Sequence, residues 1–182
     1  MRPLTLLLVS VIGLAEVRAD TYPKNFRVDV VNYRFALELQ DQDNRIAGTA
    51  EVDLRFVAEG ETSLRFDLAN QDNVTGRGMT VSAVSADSVG LVFSHQNNAL
   101  TITLPRRVES GQRLRLRIAY SGEPASGLKI ANNRYGDRTF FSDNWPDKAR
   151  HWLPTVDHPY DKATSEMVVT APAHYQVVSN GL

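Results

Sequence analysis

The segment RHWLPTVDHPYDKATSE, residues 150–166, gathers the side chains of this chain that are best suited to chemistry. It holds two of the four histidines, which could ligate a metal ion or transfer protons. His151 and His158, however, are seven residues apart with Pro154 between them, so no single helix presents both on one face. The chain has neither an H-E-x-x-H motif nor a cysteine, and the spacing therefore indicates no metal site.

Patterns for other reactions are also missing from the sequence. There is no G-x-S-x-G nucleophile elbow and no glycine-rich phosphate loop. The basic run at 113–117, RLRLR, alternates arginine with leucine, which places its arginines on one solvated face of a strand. The net charge of −1 gives no electrostatic reason to expect nucleic acid. We therefore expect no catalytic residue in this chain and no nucleic-acid partner.

Asp143 is the most informative single acid. It follows the aromatic run TFF and precedes a turn that contains Trp145. A carboxylate at the end of a strand, beside aromatic rings, can pair with the amine of a ligand. Alternatively, Asp143 or Asn144 caps the turn that starts at Pro146 by accepting backbone N–H groups. The spacing alone favours the cap and leaves both interpretations open.

The elements that must position these residues are strands, because apolar residues recur every second position. Residues 32–56 predict a hairpin around the polar loop DQDN. Residues 91–104 predict a second hairpin, in which Asn97-Asn98 suits the positive φ angles of a tight turn. Residues 106–120 predict a third, turning at Glu109–Gly111.

The remaining segments complete an all-β prediction. SLRFDL, SEMVVTAP and YQVVSN indicate further strands, at 63–68, 165–172 and 175–180. Residues 121–137 have no apolar period and indicate a long functional or mobile loop. NWPDKARH predicts one short helical turn near 146–151, which Pro154 ends. We expect a mostly antiparallel, saddle-shaped or sandwich-like β domain with that single helical turn.

The first 19 residues have the pattern of a secretory signal peptide. Arg2 precedes a short apolar run, and small residues at Val17 and Ala19 suit a cleavage site before Asp20. The run is too short to span a bilayer, although a buried N-terminal element is an alternative. We expect one domain over 20–182, secreted or periplasmic, with no membrane span after signal removal and no disulfide.

The segment ARHWLPTVDHPYDKAT, residues 149–164, resembles the A-R-x-x-x-P-x-x-D-x-P-x-x-K-A-T signature of the aminopeptidase N family, the gluzincin zinc aminopeptidases. The flanking strands resemble that family's N-terminal domain in the expected order, so the resemblance covers residues 26–182. It implies a β domain that precedes a catalytic domain with the zinc ligands. Neither G-x-M-E-N nor H-E-x-x-H occurs before Leu182.

We therefore expect the N-terminal substrate-wall domain of a secreted zinc aminopeptidase that removes N-terminal residues from peptides. The catalytic domain would be absent from this chain, which would hold no cofactor and be inactive alone; zinc would be bound by the missing domain. The expected partners are that domain and the N-terminus of a peptide substrate. A stand-alone secreted β-sandwich that binds a partner without catalysis is the alternative.

The resemblance also assigns roles to single residues. Asp143 occupies the position usually held by a glutamine that faces the substrate amine, and Trp145 replaces a family glutamate two residues later. It therefore implies that Asp143 contacts the substrate and that Trp145 lines the pocket.

The residues of the signature itself indicate a structural role, which is to hold a neighbouring loop in place, and not a reactive site. Pro154 and Pro159 fix their own φ angles and hold the preceding residues extended. Arg150, Asp157 and Lys162 are close enough in sequence to make local charge-assisted hydrogen bonds. We expect these five residues to form a stiff strap that positions the loop carrying Asp143.

Overall fold

The computed structural model describes residues 20–179, and the predicted signal peptide, residues 1–19, lies outside them. The regular secondary structure of the described residues is almost entirely β-strand, as the period-two pattern predicts. A single 3₁₀ helix, Ala149–His151, follows the turn at 145–148 and confirms the predicted helical turn. The strands are β1 Val28–Glu38, β2 Ile46–Phe56, β3 Ser63–Asp67, β4 Gly78–Ala86, β5 Val89–Gly90, β6 Phe93–Gln96, β7 Ala99–Thr103, β8 Arg113–Glu123, β9 Leu128–Asn132, β10 Arg138–Ser142 and β11 Thr164–Thr170.

The strands form three sheets. The largest has six strands in the order β11-β1-β2-β8-β4-β5, and a three-stranded sheet has the order β3-β7-β6. The hairpin β9–β10 forms the third. All pairs are antiparallel except β1 with β11, which run parallel. The all-β, mostly antiparallel, sandwich-like prediction is confirmed.

The alternation predicted for the first hairpin decides which face of the large sheet is buried. Val52, Leu54 and Phe56 of β2 are at most 1% exposed, whereas Glu51 and Asp53 face the other way. The buried residues of this sheet form one apolar cluster with those of the three-stranded sheet. On the outer face, acids and arginines of neighbouring strands form ion pairs, with Asp53 Oδ1 2.6 Å from Arg115 Nε and Glu51 Oε1 3.2 Å from Arg117 Nη1.

The second predicted hairpin is also present. β6 pairs with β7 across Asn97 and Asn98, whose φ angles are 53° and 57°. Two successive positive φ values are what a two-residue hairpin turn with the twist of its strands needs, and asparagine tolerates them better than most residues.

Three sequence predictions are wrong. The third hairpin does not form, because residues 105–112 contain no strand and β8 pairs with β2 and β4 instead. The loop predicted at 121–137 is largely ordered, since β8 continues to Glu123 and β9 pairs with β10. Residues 175–179 form no strand. β8 pairs with strands that are distant in sequence, so local alternation could not identify them. β9 pairs with the neighbouring β10, but its five residues are too few to give a clear apolar period.

Tyr120 and Tyr33 give a matched test of the core. The Tyr120 ring covers Gly48, where an added Cβ would lie 2.5 Å from it, and the buried hydroxyl finds no hydrogen-bond partner within residues 20–179. The Tyr33 hydroxyl accepts the N–H of Val156 at 3.0 Å.

We expect Tyr120→Phe to leave the free energy of unfolding unchanged or slightly higher, because it removes an unsatisfied buried group. Tyr33→Phe should lower it by about 1–2 kcal/mol, because it orphans a backbone donor. Urea denaturation of the two variants measures both effects. A larger loss for Tyr120→Phe than for Tyr33→Phe would contradict this description of the core.

Candidate functional site

Residues 143–148, here called the presenting loop, begin directly after β10 and are fixed to the start of β9. The Asp143 N–H donates to the carbonyl oxygen of Gly127 at 2.7 Å. Gly127 has φ of 78°, and an added Cβ would lie 2.3 Å from the carbonyl oxygen of Lys148. Only glycine lets the backbone of the hairpin approach the loop this closely. The loop is therefore docked at both of its ends.

The carboxylate of Asp143 uses its two oxygens differently. Oδ1 accepts the backbone N–H of Trp145 at 3.3 Å, and Oδ2 lies 3.3 Å from Lys148 Nζ. The Trp145 N–H, and then the Lys148 ammonium, hold the pKa of this carboxyl below its usual range. The side chain remains 57% exposed. The capping interpretation thus accounts for one oxygen, and the other is paired with the Lys148 side chain.

The neighbouring side chains divide into an exposed group and an anchored one. Trp145 is 79% exposed and Phe141 is 65% exposed. Asn144, in contrast, accepts the indole N–H of buried Trp152 at 2.9 Å, which ties the presenting loop to the core. The structure brings Asp143 and Trp145 together at the surface, as the sequence predicts, and whether they contact substrate stays a prediction.

A groove of about 470 Å³ opens beside the presenting loop. Its lining includes Asp143 and Lys148 of the loop together with Phe141, Lys129 and Glu123. Glu123 is neutralised within the groove wall, because its Oε1 lies 3.2 Å from Nε of Arg77. The side chain of Glu123 is 29% exposed against 57% for Asp143, so Asp143 is the groove carboxylate more open to solvent.

Residues 150–161, here called the corner, hold most of the signature, including Arg150, Pro154, Asp157 and Pro159. Asp157 Oδ2 accepts both the backbone N–H and the Nε–H of Arg150, at 3.1 and 3.0 Å. Arg150 Nη2 also donates to the Asp157 carbonyl oxygen at 3.1 Å. Pro154 is buried and Pro159 is exposed. The charge-assisted bonds expected between Arg150 and Asp157 are therefore present.

The expectation for Lys162 needs correction. Its side chain is exposed and makes no hydrogen bond or ion pair with any other residue of the described chain. Lys162 is the first residue after the corner and lies two residues before the start of β11. Nearness in sequence therefore did not produce the expected ion pair.

Asp67 of β3, whose buried carboxylate holds the corner in place, is not among the residues that the sequence predicts to be important. Asp67 is 1% exposed, and its Oδ2 accepts the N–H of Asp157 at 3.1 Å and the hydroxyl of Tyr22. Its backbone pairs with Thr155 through bonds of 2.8 and 3.1 Å, so the corner extends the edge of β3. Arg65 Nη1 lies 2.8 Å from Oδ1 but is not aligned as a hydrogen bond.

The position of Asp67 explains why it was missed. In SLRFDL the leucines and Phe66 face the core, so alternation places Asp67 on the solvated face. The corner covers that face. The only signal in the sequence is an aspartate inside a strand, where this residue is uncommon.

The N-terminal residues of the described chain pack against the same corner. The ring of Tyr22 stacks on His158 with centroids 4.5 Å apart, and His158 Nε2 lies 3.2 Å from Asp20 Oδ2. His158 is thus engaged in packing. Within residues 20–179, no three His, Cys, Asp or Glu side chains are grouped so as to hold a metal ion. No helix of this part is long and apolar enough to cross a membrane.

The sequence of this domain also matches a known protein family. The chain belongs to the family described as the peptidase M1 N-terminal domain, whose profile matches residues 30–182. The match confirms the resemblance to the aminopeptidase N family. No curated protein matches the sequence.

Solved structures show the same fold. An M1 zinc metallopeptidase from Deinococcus radiodurans has a TM-score of 0.69 at 25% identity, covering 85% of this chain and 35% of that chain. A mutant M1 zinc metallopeptidase from the same organism gives 0.69 at 28% identity, covering 86% and 35%. Yeast LTA4 hydrolase in complex with bestatin, at 18% identity, gives 0.67 over 80% and 23%. The chain spans about a third of the length of the Deinococcus structures, 35% in each case.

The corner makes a specific prediction about Asp157. Asp157→Ala should lower the melting temperature and reduce the free energy of unfolding by about 2–4 kcal/mol, because it leaves Arg150 without its half-buried partner. Its effect on ligand affinity should be far smaller. Lys162→Ala, which removes an exposed charge from the same signature, should leave the melting temperature unchanged. Thermal unfolding and ligand titration of both variants measure the two effects. A loss of ligand affinity in Asp157→Ala without a lower melting temperature would contradict a supporting role for Asp157.

Asp67 makes a second prediction. Asp67→Asn should lower the free energy of unfolding by about 2–4 kcal/mol, because the buried carboxylate accepts from two donors and faces an arginine. Asp53→Asn also breaks an aspartate–arginine pair, but on the solvated face, and should cost below about 1 kcal/mol. Chemical denaturation compares the two. Equal losses would show that burial of Asp67 adds nothing.

Proposed function

We propose that this chain is the N-terminal, substrate-contacting domain of a secreted zinc aminopeptidase that removes residues from the N-termini of peptides. Asp143 accepts a hydrogen bond from the α-ammonium group of the substrate, and Trp145 lines the adjoining pocket. The observation that carries this proposal is an exposed carboxylate and an exposed indole on a loop that is anchored to the core on both sides. Rigid presentation of a few polar groups is what a binding site requires.

The chemistry of the loop supports an amine ligand. Asp143 is ionised at neutral pH, since its pKa lies below the usual range, and its side chain is exposed and lines the groove. A carboxylate forms strong charge-assisted hydrogen bonds with an ammonium group. An aromatic face such as that of Trp145 also attracts a cation and packs against an apolar side chain.

The proposed partner is a catalytic domain. Tyr135, Phe141 and Trp145 are 72%, 65% and 79% exposed and all lie on the β9–β10 hairpin or the presenting loop. Exposed aromatic residues of this kind mark surfaces that other domains cover. The zinc ligands and the reacting groups belong, in this proposal, to that catalytic domain, and the chain alone is inactive.

We also propose secretion with cleavage after Ala19. In support, Asp20 would then be the first residue of the mature chain, and it lies within 3.2 Å of His158 at the corner. N-terminal sequencing of the secreted protein tests the cleavage position directly.

The function is tested by expressing the whole reading frame that contains this domain and measuring hydrolysis of dipeptide and tripeptide substrates. Asp143→Asn should lower kcat/KM about 10- to 100-fold, because a charge-assisted hydrogen bond to the substrate amine is lost. Lys162→Ala is the control and should retain full activity. Trimming of peptides by the purified chain alone, or stoichiometric metal binding by it, would contradict the proposal.

A further inference from the structure

Lys148 already supplies an ammonium group to the carboxylate that should receive the substrate. Its Nζ lies 3.3 Å from Asp143 Oδ2. The other oxygen, Oδ1, is committed to the N–H of Trp145 within the presenting loop. Oδ2 is consequently the oxygen of Asp143 available to a ligand, and Lys148 occupies it in this structure.

We infer that Lys148 is an internal competitor for the substrate amine and sets the affinity of the Asp143 site for free N-termini. The inference rests on the proposed function of Asp143. A substrate ammonium group that approaches Oδ2 must displace the lysine or share the oxygen with it. Both groups carry one positive charge, so sharing brings like charges together.

The geometry permits such a displacement. The two side chains are 37% and 57% exposed, for lysine and aspartate respectively, and an ion pair with this exposure is weak. Lysine has a flexible four-carbon stem, so Nζ can leave Oδ2 without backbone movement. The backbone of Lys148 stays fixed meanwhile, because its N–H donates to the carbonyl oxygen of Asn144 at 2.9 Å.

A second lysine in the same groove provides the matched control. Lys129 also lines the groove, but its side chain is exposed and pairs with no acid of the described residues. Lys148→Gln and Lys129→Gln therefore remove the same charge from the same groove. Only the first removes a direct contact with Asp143, so general electrostatic effects cancel in the comparison.

The experiment titrates the purified chain with L-phenylalaninamide and follows the amide NMR signals of residues 143–145. N-acetyl-L-phenylalaninamide, which lacks the ammonium group, is the control probe. Lys148→Gln should bind L-phenylalaninamide about two- to fivefold more tightly than the wild-type chain, the range expected for loss of a weak surface ion pair. Lys129→Gln should match the wild type. A parallel carboxyl titration should show that Lys148→Gln raises the pKa of Asp143 and that Lys129→Gln does not.

The outcomes separate the inference from the proposed function. If the wild type binds the probe and Asp143→Asn does not, but Lys148→Gln binds no more tightly than Lys129→Gln, the competitor role is wrong and the role of Asp143 stands. If no variant binds the probe, including Lys148→Gln, in which no lysine pairs with the Asp143 carboxylate, then the competitor role and the proposed role of Asp143 are both wrong. Equal binding of the acetylated probe would likewise contradict both, since the ammonium group would be irrelevant.

Discussion

The architecture of this domain depends on one buried carboxylate. Asp67 lies at the end of edge strand β3, and the N–H of Asp157 and the hydroxyl of Tyr22 both donate to its Oδ2. A buried carboxylate is tolerated only when it is surrounded by donors and charge partners. The corner supplies the donor from Asp157, and the N-terminal segment supplies the one from Tyr22. Asp67 thus joins three parts of the chain that are far apart in sequence.

From this carboxylate a continuous set of contacts leads to the candidate site. Asp157 binds Arg150 at 3.0 Å, and two residues further on Trp152 donates to Asn144 at 2.9 Å. Asn144 is the neighbour of Asp143. The presenting loop is therefore held by the core although the side chains of Asp143 and Trp145 are exposed.

The sequence predicts the parts of this arrangement that depend on local periodicity. Alternation identifies β1, β2, β6 and β7, and Asn97-Asn98 identifies the turn between the last two, because side-chain period and turn chemistry are local properties. β4 escaped notice because a bulge between Val81 and Ala83 shifts its period.

The candidate site follows a similar division. Asp143 and Trp145 could be singled out from the sequence because the signature that follows them resembles that of a known family. Asp67 could not, since its burial results from the corner folding over β3. Lys148 stood next to the signature, but only the distance of 3.3 Å to Asp143 Oδ2 gives it a role.

The most direct test of this account is amide hydrogen exchange of the native chain. The N–H of Asp157 and that of Asp143, bound to Asp67 and Gly127 respectively, should exchange only when the whole domain unfolds, as core amides do. The amide of the exposed tip residue Tyr135, which is bonded only locally, to Asn133 Oδ1 at 2.8 Å, should exchange much faster. If the amides of Asp157 and Asp143 exchange as fast as that of Tyr135, the corner is not part of the core, and Asp143 is not held in place for a ligand.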